Sequence, residues 1–208
     1  MLPNNIYLLL GVPCSGKTTV AEILSEKHGM YYFSGDKTRF DYFKKANNIH
    51  HPAMSKDMSD YYDLPLDTLI QWEQGVIKEQ TPMIIKDLKE LSLKHEKIIF
   101  EGILDLDFID NLISRSRIMY MLVSQKIMKC DFYNRKDHIK MLENIKNRQD
   151  ISDFEKERRI KLRRDVAINF CSNDVSKYNI TQFVRYDNTE ISEVIKFTER
   201  HYELISNN

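Results

Sequence analysis

The chain has 208 residues, of which 42% are hydrophobic and 30% are charged, and its 31 basic and 31 acidic side chains cancel. A chain of this composition is neither disordered nor fibrous, and its length suits one large domain with its own core. The zero net charge disfavours nucleic acid as a general partner, and no apolar run reaches the roughly 20 residues that a membrane span requires.

Five short apolar runs predict strands. The first, residues 6–10, is uninterrupted, as expected for a strand that is covered on both faces. The others are residues 30–34, 97–101, 118–123 and 182–186, and the last is the least apolar and suits an edge.

Helical patterns lie between these runs. After Lys17 the apolar residues recur at helical spacing, and Gly29 is a natural stop. Thr81 and Pro82 are typical of an N-cap and a first helical residue, which predicts a helix over residues 82–95. Further helices are predicted at residues 37–45, 105–114, 137–147 and 153–170, and an apolar stripe between residues 191 and 205 predicts a last one.

Strands that alternate with helices predict an α/β fold, in which a parallel sheet carries helices on both faces. Residues 36–96 contain no strand signal. We expect this stretch to form a helical insertion over one end of the sheet.

The three cysteines, Cys14, Cys130 and Cys171, are far apart, and no pair of them has the spacing of metal ligands. Reduced thiols in a cytoplasmic protein are the expectation. The first ten residues lack a basic start and are too short for a signal peptide, which agrees with a cytoplasmic location.

The stretch GVPCSGKT, residues 11–18, fits the phosphate-binding pattern G-x-x-x-x-G-K-[ST] and stands between a predicted strand and a predicted helix. Loop N–H groups and the positive end of the helix dipole attract an anion; Lys17 can reach the outer phosphates of ATP, and the Thr18 hydroxyl can bind Mg²⁺. The alternative is a chance match. We assign nucleotide binding to Gly11, Pro13, Cys14, Ser15, Gly16, Lys17, Thr18 and Thr19. Cys14 is either a thiol that the loop makes reactive or a small tolerated residue.

A carboxylate and a guanidinium follow the second predicted strand, in YYFSGDKTRF. Ligands in such sheets bind beyond the carboxyl ends of the strands, so Asp36 and Arg39 should face the phosphate loop. Asp36 can accept the proton of a substrate hydroxyl, and Arg39 can hold an anionic substrate group or steady the moving phosphoryl. The alternative for Asp36 is the N-cap of the helix over residues 37–45, and the two roles are compatible.

The GTPase signature N-K-x-D is absent, and GVPCSGKTT, SGDKTR and IIFEGI resemble the matching parts of shikimate-kinase-like and chloramphenicol-phosphotransferase-like P-loop kinases. SGD and Arg39, followed by His50, His51 and Pro52, are more distantly similar to zeta-toxin-like kinases, although the spacing differs. The resemblance implies a three-layer P-loop NTPase sandwich with a five-stranded parallel sheet of order 2-3-1-4-5. It also implies that Asp36 is the general base.

The third predicted strand ends on Glu101 and Gly102. Many P-loop enzymes carry here the acidic residue that organises Mg²⁺ through water, which would make Glu101 a metal residue with Thr18. Glu101 could instead bind the acceptor, since Gly102 lets a ligand approach closely.

Residues 126–164 carry a net charge of +6, from 13 Lys and Arg against 7 Asp and Glu. In the resembling kinases this region is the lid that closes over ATP, here about residues 148–165. Guanidinium groups suit phosphate because they hold two oxygens at once. We select Arg148 for nucleotide binding and Arg159 for catalysis; the alternative is a solvated helix in which Glu155 pairs with Arg159.

The resemblance also places a substrate-binding subdomain in the insertion, about residues 36–96, within a single domain of residues 1–208. Tyr61, Tyr62 and Trp72 could stack on a substrate ring there, or belong to a core.

The leading interpretation is a kinase that uses ATP and Mg²⁺ to phosphorylate a hydroxyl or phosphate of a small molecule or nucleotide. A nucleotide-binding regulatory ATPase module and a polynucleotide-end kinase remain the alternatives.

Overall fold

The computed structural model describes residues 1–170 and 175–205. Five strands lie in one sheet within this part of the chain: β1 (Ile6–Gly11), β2 (Tyr31–Ser34), β3 (Ile98–Gly102), β4 (Ile118–Val123) and β5 (Thr181–Arg185). All neighbouring pairs are parallel, in the order β2-β3-β1-β4-β5. The five strand predictions and the implied order are confirmed, with bounds that differ by at most one residue.

The helices that flank the sheet include α1 (Lys17–His28), α2 (Gly35–Lys45), α3 (Leu66–Ser92), α4 (Leu106–Ile109), α5 (Gln125–Asp131), α6 (Lys136–Lys146), α7 (Asp153–Phe170) and α8 (Ile191–His201). None of those described is both long and apolar enough to cross a membrane. Residues 36–96, all of them described, contain no strand, as the sequence predicts. The arrangement is the P-loop NTPase fold.

The central strand β1 is buried on both faces, which explains its uninterrupted apolar sequence. Leu8 and Leu10 pack into a core on the side of α3, while Leu9 faces a second core formed with α1 and α8. Each such leucine contributes about 1.5–3 kcal/mol through burial. The two cores hold the carboxyl ends of β1, β2 and β3 at one edge of the sheet.

The predicted helix start at Thr81 and Pro82 is wrong. Both residues lie inside α3, a 27-residue helix. The Thr81 hydroxyl donates to the Ile77 carbonyl at 2.7 Å, and Val76 and Ile84, on either side of the proline, both lie in the core. Burial of one continuous face therefore outweighs the hydrogen bond that the proline removes.

Two smaller predictions also change. Asp36 is not the N-cap of α2, because the helix begins at Gly35 and its N-cap is Ser34, whose hydroxyl accepts from the backbone N–H of Lys37. The helix predicted over residues 105–114 is only the single turn α4, which Asp105 caps.

The basic helix α7 packs against α3 of the insertion. Val166 of α7 shares a buried cluster with Leu69 of α3 and with Tyr61, and Tyr62 and Trp72 lie against that cluster. Tyr61, Tyr62 and Trp72 therefore belong to a core, which is one of the two roles that the sequence left open for them. Trp72 also donates from Nε1 to the Ala53 carbonyl at 2.8 Å.

Candidate active site

The loop between β1 and α1 has the backbone of an anion-binding turn. Gly11 passes so close to β4 that a Cβ there would lie 2.2 Å from the Met121 carbonyl oxygen. Gly16 has a φ of 92°, which an L side chain rarely adopts, and it leads directly into α1. Among the described residues no side chain caps this helix, so its first N–H groups are available to a ligand.

Lys17 lies at the base of this loop and is only 4% exposed. Within residues 1–170 and 175–205, no carboxylate forms an ion pair with its ammonium group. A buried ammonium beside a helix N-terminus is stabilised when an anion binds there. The loop and Lys17 together therefore form a receptor for a polyphosphate.

Cys14, within the loop, is half-buried, and this burial raises the pKa of its thiol. The nearby charges of Arg135, Lys17 and Arg185 act in the opposite direction but do not reverse the shift. Burial thus favours the neutral thiol over a reactive thiolate, which agrees with the alternative of a small tolerated residue. Cys130 is exposed and free; Cys171 lies outside the described residues.

Glu101, at the end of β3, is 1% exposed and accepts three hydroxyl hydrogen bonds. Ser34 donates to Oε1 at 2.6 Å, Tyr32 donates to the same oxygen at 3.1 Å, and Thr18 donates to Oε2 at 3.2 Å. We call Glu101 and these three residues the hydroxyl cage. Burial, followed by the charge of Glu101, raises the pKa of Tyr32 well above its ordinary value.

The donor set of the hydroxyl cage fits Mg²⁺. The Thr18 hydroxyl keeps a lone pair for a metal while it donates to Glu101, and Mg²⁺ prefers oxygen ligands and retains several waters. The described residues contain no group of three or more His, Cys, Asp or Glu side chains that could hold a metal ion. A Mg²⁺ ion on the Thr18 hydroxyl would take its other ligands from water and from phosphate oxygens.

Gly102, after the hydroxyl cage, has a φ of 158°, and a Cβ there would lie 3.0 Å from the Phe100 ring. The Phe100 ring therefore fills the side of Gly102 where a Cβ would point, and substrate binding at this glycine stays a prediction.

Asp36 lies in the first turn of α2 with about half of its side chain exposed. The Arg135 guanidinium donates to Asp36 Oδ2 at 3.3 Å. Burial alone would raise the pKa of Asp36, but the charges of Lys17, Arg135 and Arg39 outweigh it and hold the pKa below its ordinary value. Asp36 is thus an ionised acceptor that lies within the field of the loop lysine.

Arg39 lies one turn after Asp36 on α2, and a carboxylate of α3 in the insertion holds its side chain. Its Nη2 donates to Glu73 Oε2 of α3 at 2.8 Å, and its guanidinium lies 5.5 Å from the Phe43 ring centre. The structure therefore brings Arg39 to the same side as Asp36 but gives it a carboxylate partner.

The two arginines selected for the lid, Arg148 and Arg159, each pair with a carboxylate that is close in sequence. Arg148 is exposed and pairs with Asp150. Arg159 donates to Glu155 at 2.5 Å and stacks 4.6 Å from the Tyr62 ring centre. The pairing of Glu155 with Arg159 is the alternative that the sequence left open.

A cavity of about 340 Å³ opens over the phosphate loop. Its described lining includes Lys17 and Thr18 but neither Arg148 nor Arg159. The residues that line it are Cys14, Gly16, Lys17, Thr18, Thr19, Asp131, Asn134, Arg135 and Arg185.

Sequence reasoning missed the two arginines of this cavity, Arg135 and Arg185. Arg135 immediately precedes α6, inside the basic segment but upstream of the stretch that the resemblance singled out. Arg185 is the last residue of β5, and the available signal was its place at a carboxyl strand end, separated from β1 only by β4 in the predicted sheet order.

A family model described as an AAA domain matches residues 8–163. No curated protein matches the sequence significantly.

Among solved structures, the chain is similar to a sugar kinase from Janibacter sp., with 12% identity over 97% of this chain and 95% of that one and a TM-score of 0.47. It is also similar to shikimate kinase from Acinetobacter baumannii, with 14% identity over 98% and 93% and a TM-score of 0.43. A third similar structure is deoxyadenosine kinase from M. mycoides, with 15% identity over 95% of this chain and 98% of that one and a TM-score of 0.45.

Proposed function

The chain belongs to the AAA domain family of P-loop proteins, and from this premise we propose that it is an ATP- and Mg²⁺-dependent kinase. It transfers the γ-phosphoryl group to a hydroxyl or phosphate of a small molecule or nucleotide. The observation that carries the proposal is the position of the Asp36 carboxylate. Asp36 follows β2, which only β3 separates from β1 and the phosphate loop, and the charge of Lys17 lowers its pKa.

The phosphate side of the reaction falls to the loop and to α1. The N–H groups of residues 16–19 and the Lys17 ammonium hold the β- and γ-phosphates, since these residues line the cavity at the N-terminus of α1. Thr18 would hold Mg²⁺ directly and Glu101 through water, and the ion would neutralise charge on the phosphates. Arg135 adds a further positive charge at the cavity wall.

Asp36 serves the acceptor side. The acceptor oxygen attacks the γ-phosphorus while the bond to the ADP oxygen breaks, and Asp36 orients the attacking hydroxyl and takes its proton. A carboxylate whose pKa lies below its ordinary value is a weak base. The proton therefore moves late, after most of the phosphoryl transfer, as suits a loose transition state. Arg39 and Gly102 would lie against the acceptor.

The insertion, about residues 36–96, would form the acceptor pocket, and residues 148–165 would form the lid within a single domain. Arg148 and Arg159 lie outside the cavity lining. A phosphate contact from Arg159 would require α7 to leave its place against α3, and Arg148 lies between α6 and α7, whereas Arg135 already lines the cavity.

An acceptor screen tests the proposal. Purified protein with Mg²⁺ and ATP is incubated with nucleosides, nucleotides, sugars, shikimate and aminoglycosides, and ADP release is measured. We expect release that depends on one class of acceptor and that Asp36→Asn abolishes. Asp41→Asn is the matched control, because Asp41 lies on the same helix but is exposed and pairs with Lys44.

ATP binding with no response to any acceptor would overturn the kinase assignment and favour a regulatory ATPase. Release that depends on oligonucleotides and falls with salt would favour a polynucleotide-end kinase.

A further inference from the structure

We infer that Arg185 is a positioning residue, which holds the phosphate loop in its binding conformation before the nucleotide arrives. The inference rests on the proposed function only in taking the loop to bind a polyphosphate. It adds a residue from the far edge of the sheet that neither the loop pattern nor the family match assigns.

The loop contains a backbone conformation that needs support. Cys14 has a φ of 63°, in the left-handed region that residues with a Cβ rarely adopt. Such a conformation persists only when its surroundings fix it. On one side the loop supports itself, because the Ser15 hydroxyl donates to the Val12 carbonyl at 2.8 Å.

Arg185 supplies the support on the other side. Its Nη1 donates to the Cys14 carbonyl oxygen at 2.6 Å, across 171 residues of sequence. Because the carbonyl and the following N–H belong to one rigid peptide plane, a bond to the Cys14 carbonyl fixes the direction of the Ser15 N–H as well. That N–H lies toward the Val12 carbonyl, at 3.4 Å.

The same guanidinium is anchored by a second partner. Its Nη2 donates to Asp131 Oδ2 at 3.4 Å, at the end of α5. A planar fork with two fixed donors resists rotation, which a flexible ammonium would not. Arg185 thereby joins the loop to the end of α5, four residues before Arg135, which also lines the cavity.

Arg185 also lines the cavity, so a direct contact with the nucleotide is the competing role. The two roles differ before any nucleotide is present. A positioning residue keeps Cys14 in its half-buried place in the free protein, whereas a ligand of the nucleotide does not affect the free loop.

The test compares Arg185→Met with Arg117→Met. Arg117 is the matched control, since its Nη1 also donates to a backbone carbonyl, that of Tyr202 at 3.2 Å, outside the loop and the cavity lining. Two quantities are measured: the alkylation rate of Cys14 in the nucleotide-free protein, by peptide mass spectrometry, and the Kd for ATP with Mg²⁺, by calorimetry.

For Arg185→Met we expect faster alkylation of Cys14 than in the wild type, together with ATP binding about tenfold weaker, as follows from losing one charge-assisted hydrogen bond. Arg117→Met should leave both quantities unchanged. Arg185→Lys, which keeps the charge but only one point of contact, should fall between and serves if the methionine variant does not fold.

Weaker binding with unchanged alkylation would overturn the inference in favour of a direct contact. Unchanged binding, with or without faster alkylation, would overturn it as well. If the wild-type protein does not bind ATP, the proposed function fails instead, and the alkylation rates of the free proteins still decide whether Arg185 holds the loop.

Discussion

The free-energy costs of removing the Glu101 carboxylate and of removing the Ser34 hydroxyl should be strongly coupled. The two side chains are both buried, with Ser34 5% exposed, and their hydrogen bond of 2.6 Å is the shortest in the cage. The perturbations are Ser34→Ala, Glu101→Met and the double variant. Methionine has nearly the shape of glutamate but accepts no comparable hydrogen bond.

The magnitude follows from what each variant leaves behind. A buried hydrogen bond to a charged group contributes about 1.5–3 kcal/mol. Ser34→Ala also removes the N-cap of α2, which costs about 1 kcal/mol. The cap is lost in both backgrounds and cancels, so the cycle should give a coupling free energy of about 1.5–3 kcal/mol.

Urea denaturation followed by circular dichroism measures the four free energies of unfolding. We expect Ser34→Ala to cost clearly more in the wild type than in Glu101→Met, with unchanged m-values. A coupling below about 0.5 kcal/mol would show that Ser34 does not hold Glu101, and the reasoning that places Glu101 beside Thr18 would fail with it.

Three further outcomes are expected. Since the pKa of Asp36 lies below its ordinary 3.8, kcat/KM should stay flat as the pH falls from neutral and be lost only as the pH passes through the lowered pKa. At pH values above that pKa, Asp36→Asn should lower kcat/KM by about 10²–10⁴-fold. A pH profile with an acid limb near neutrality would contradict this. Arg163 lies 4.7 Å from the ring centre of Tyr61, so Arg163→Met should lower the free energy of unfolding by about 1–2 kcal/mol. It should also change the fluorescence of Trp72, the one tryptophan of the sequence, whose ring lies against Tyr61. An unchanged spectrum would mean that α7 does not depend on this contact. The Thr81 hydroxyl accepts at 2.9 Å from the backbone N–H of Asp105, in the loop after β3. Thr81→Ala should therefore lower the free energy of unfolding in urea by about 1–2 kcal/mol, and a change no larger than the experimental error would refute the role of this hydrogen bond.

The sheet and the phosphate loop were predictable because their signals are local. A strand that is buried on both faces reads as an apolar run, and the loop needs its glycines and Lys17 at fixed positions. The long helix α3 was not predictable, because Pro82 is a strong local signal for a helix start. Its cost is outweighed only by packing that the sequence does not display.

The walls of the cavity were harder still. Arg135 reaches Asp36 across 99 residues, and Arg185 reaches Cys14 across 171. No spacing rule connects such pairs, since their distance is set by the sheet order and by the place of α6. Charge counting did find the right segment for Arg135, but it could not select one arginine among several.

Calorimetry of ATP with Mg²⁺, on the wild-type protein and on Lys17→Met, tests the central claim most directly. The account predicts one binding site in the wild type and a loss of at least about 100-fold in affinity for the variant, with an unchanged circular dichroism spectrum, because the buried ammonium is a main positive charge of the phosphate receptor. Equal affinities for the two proteins, or no heat of binding in the wild type, would contradict it.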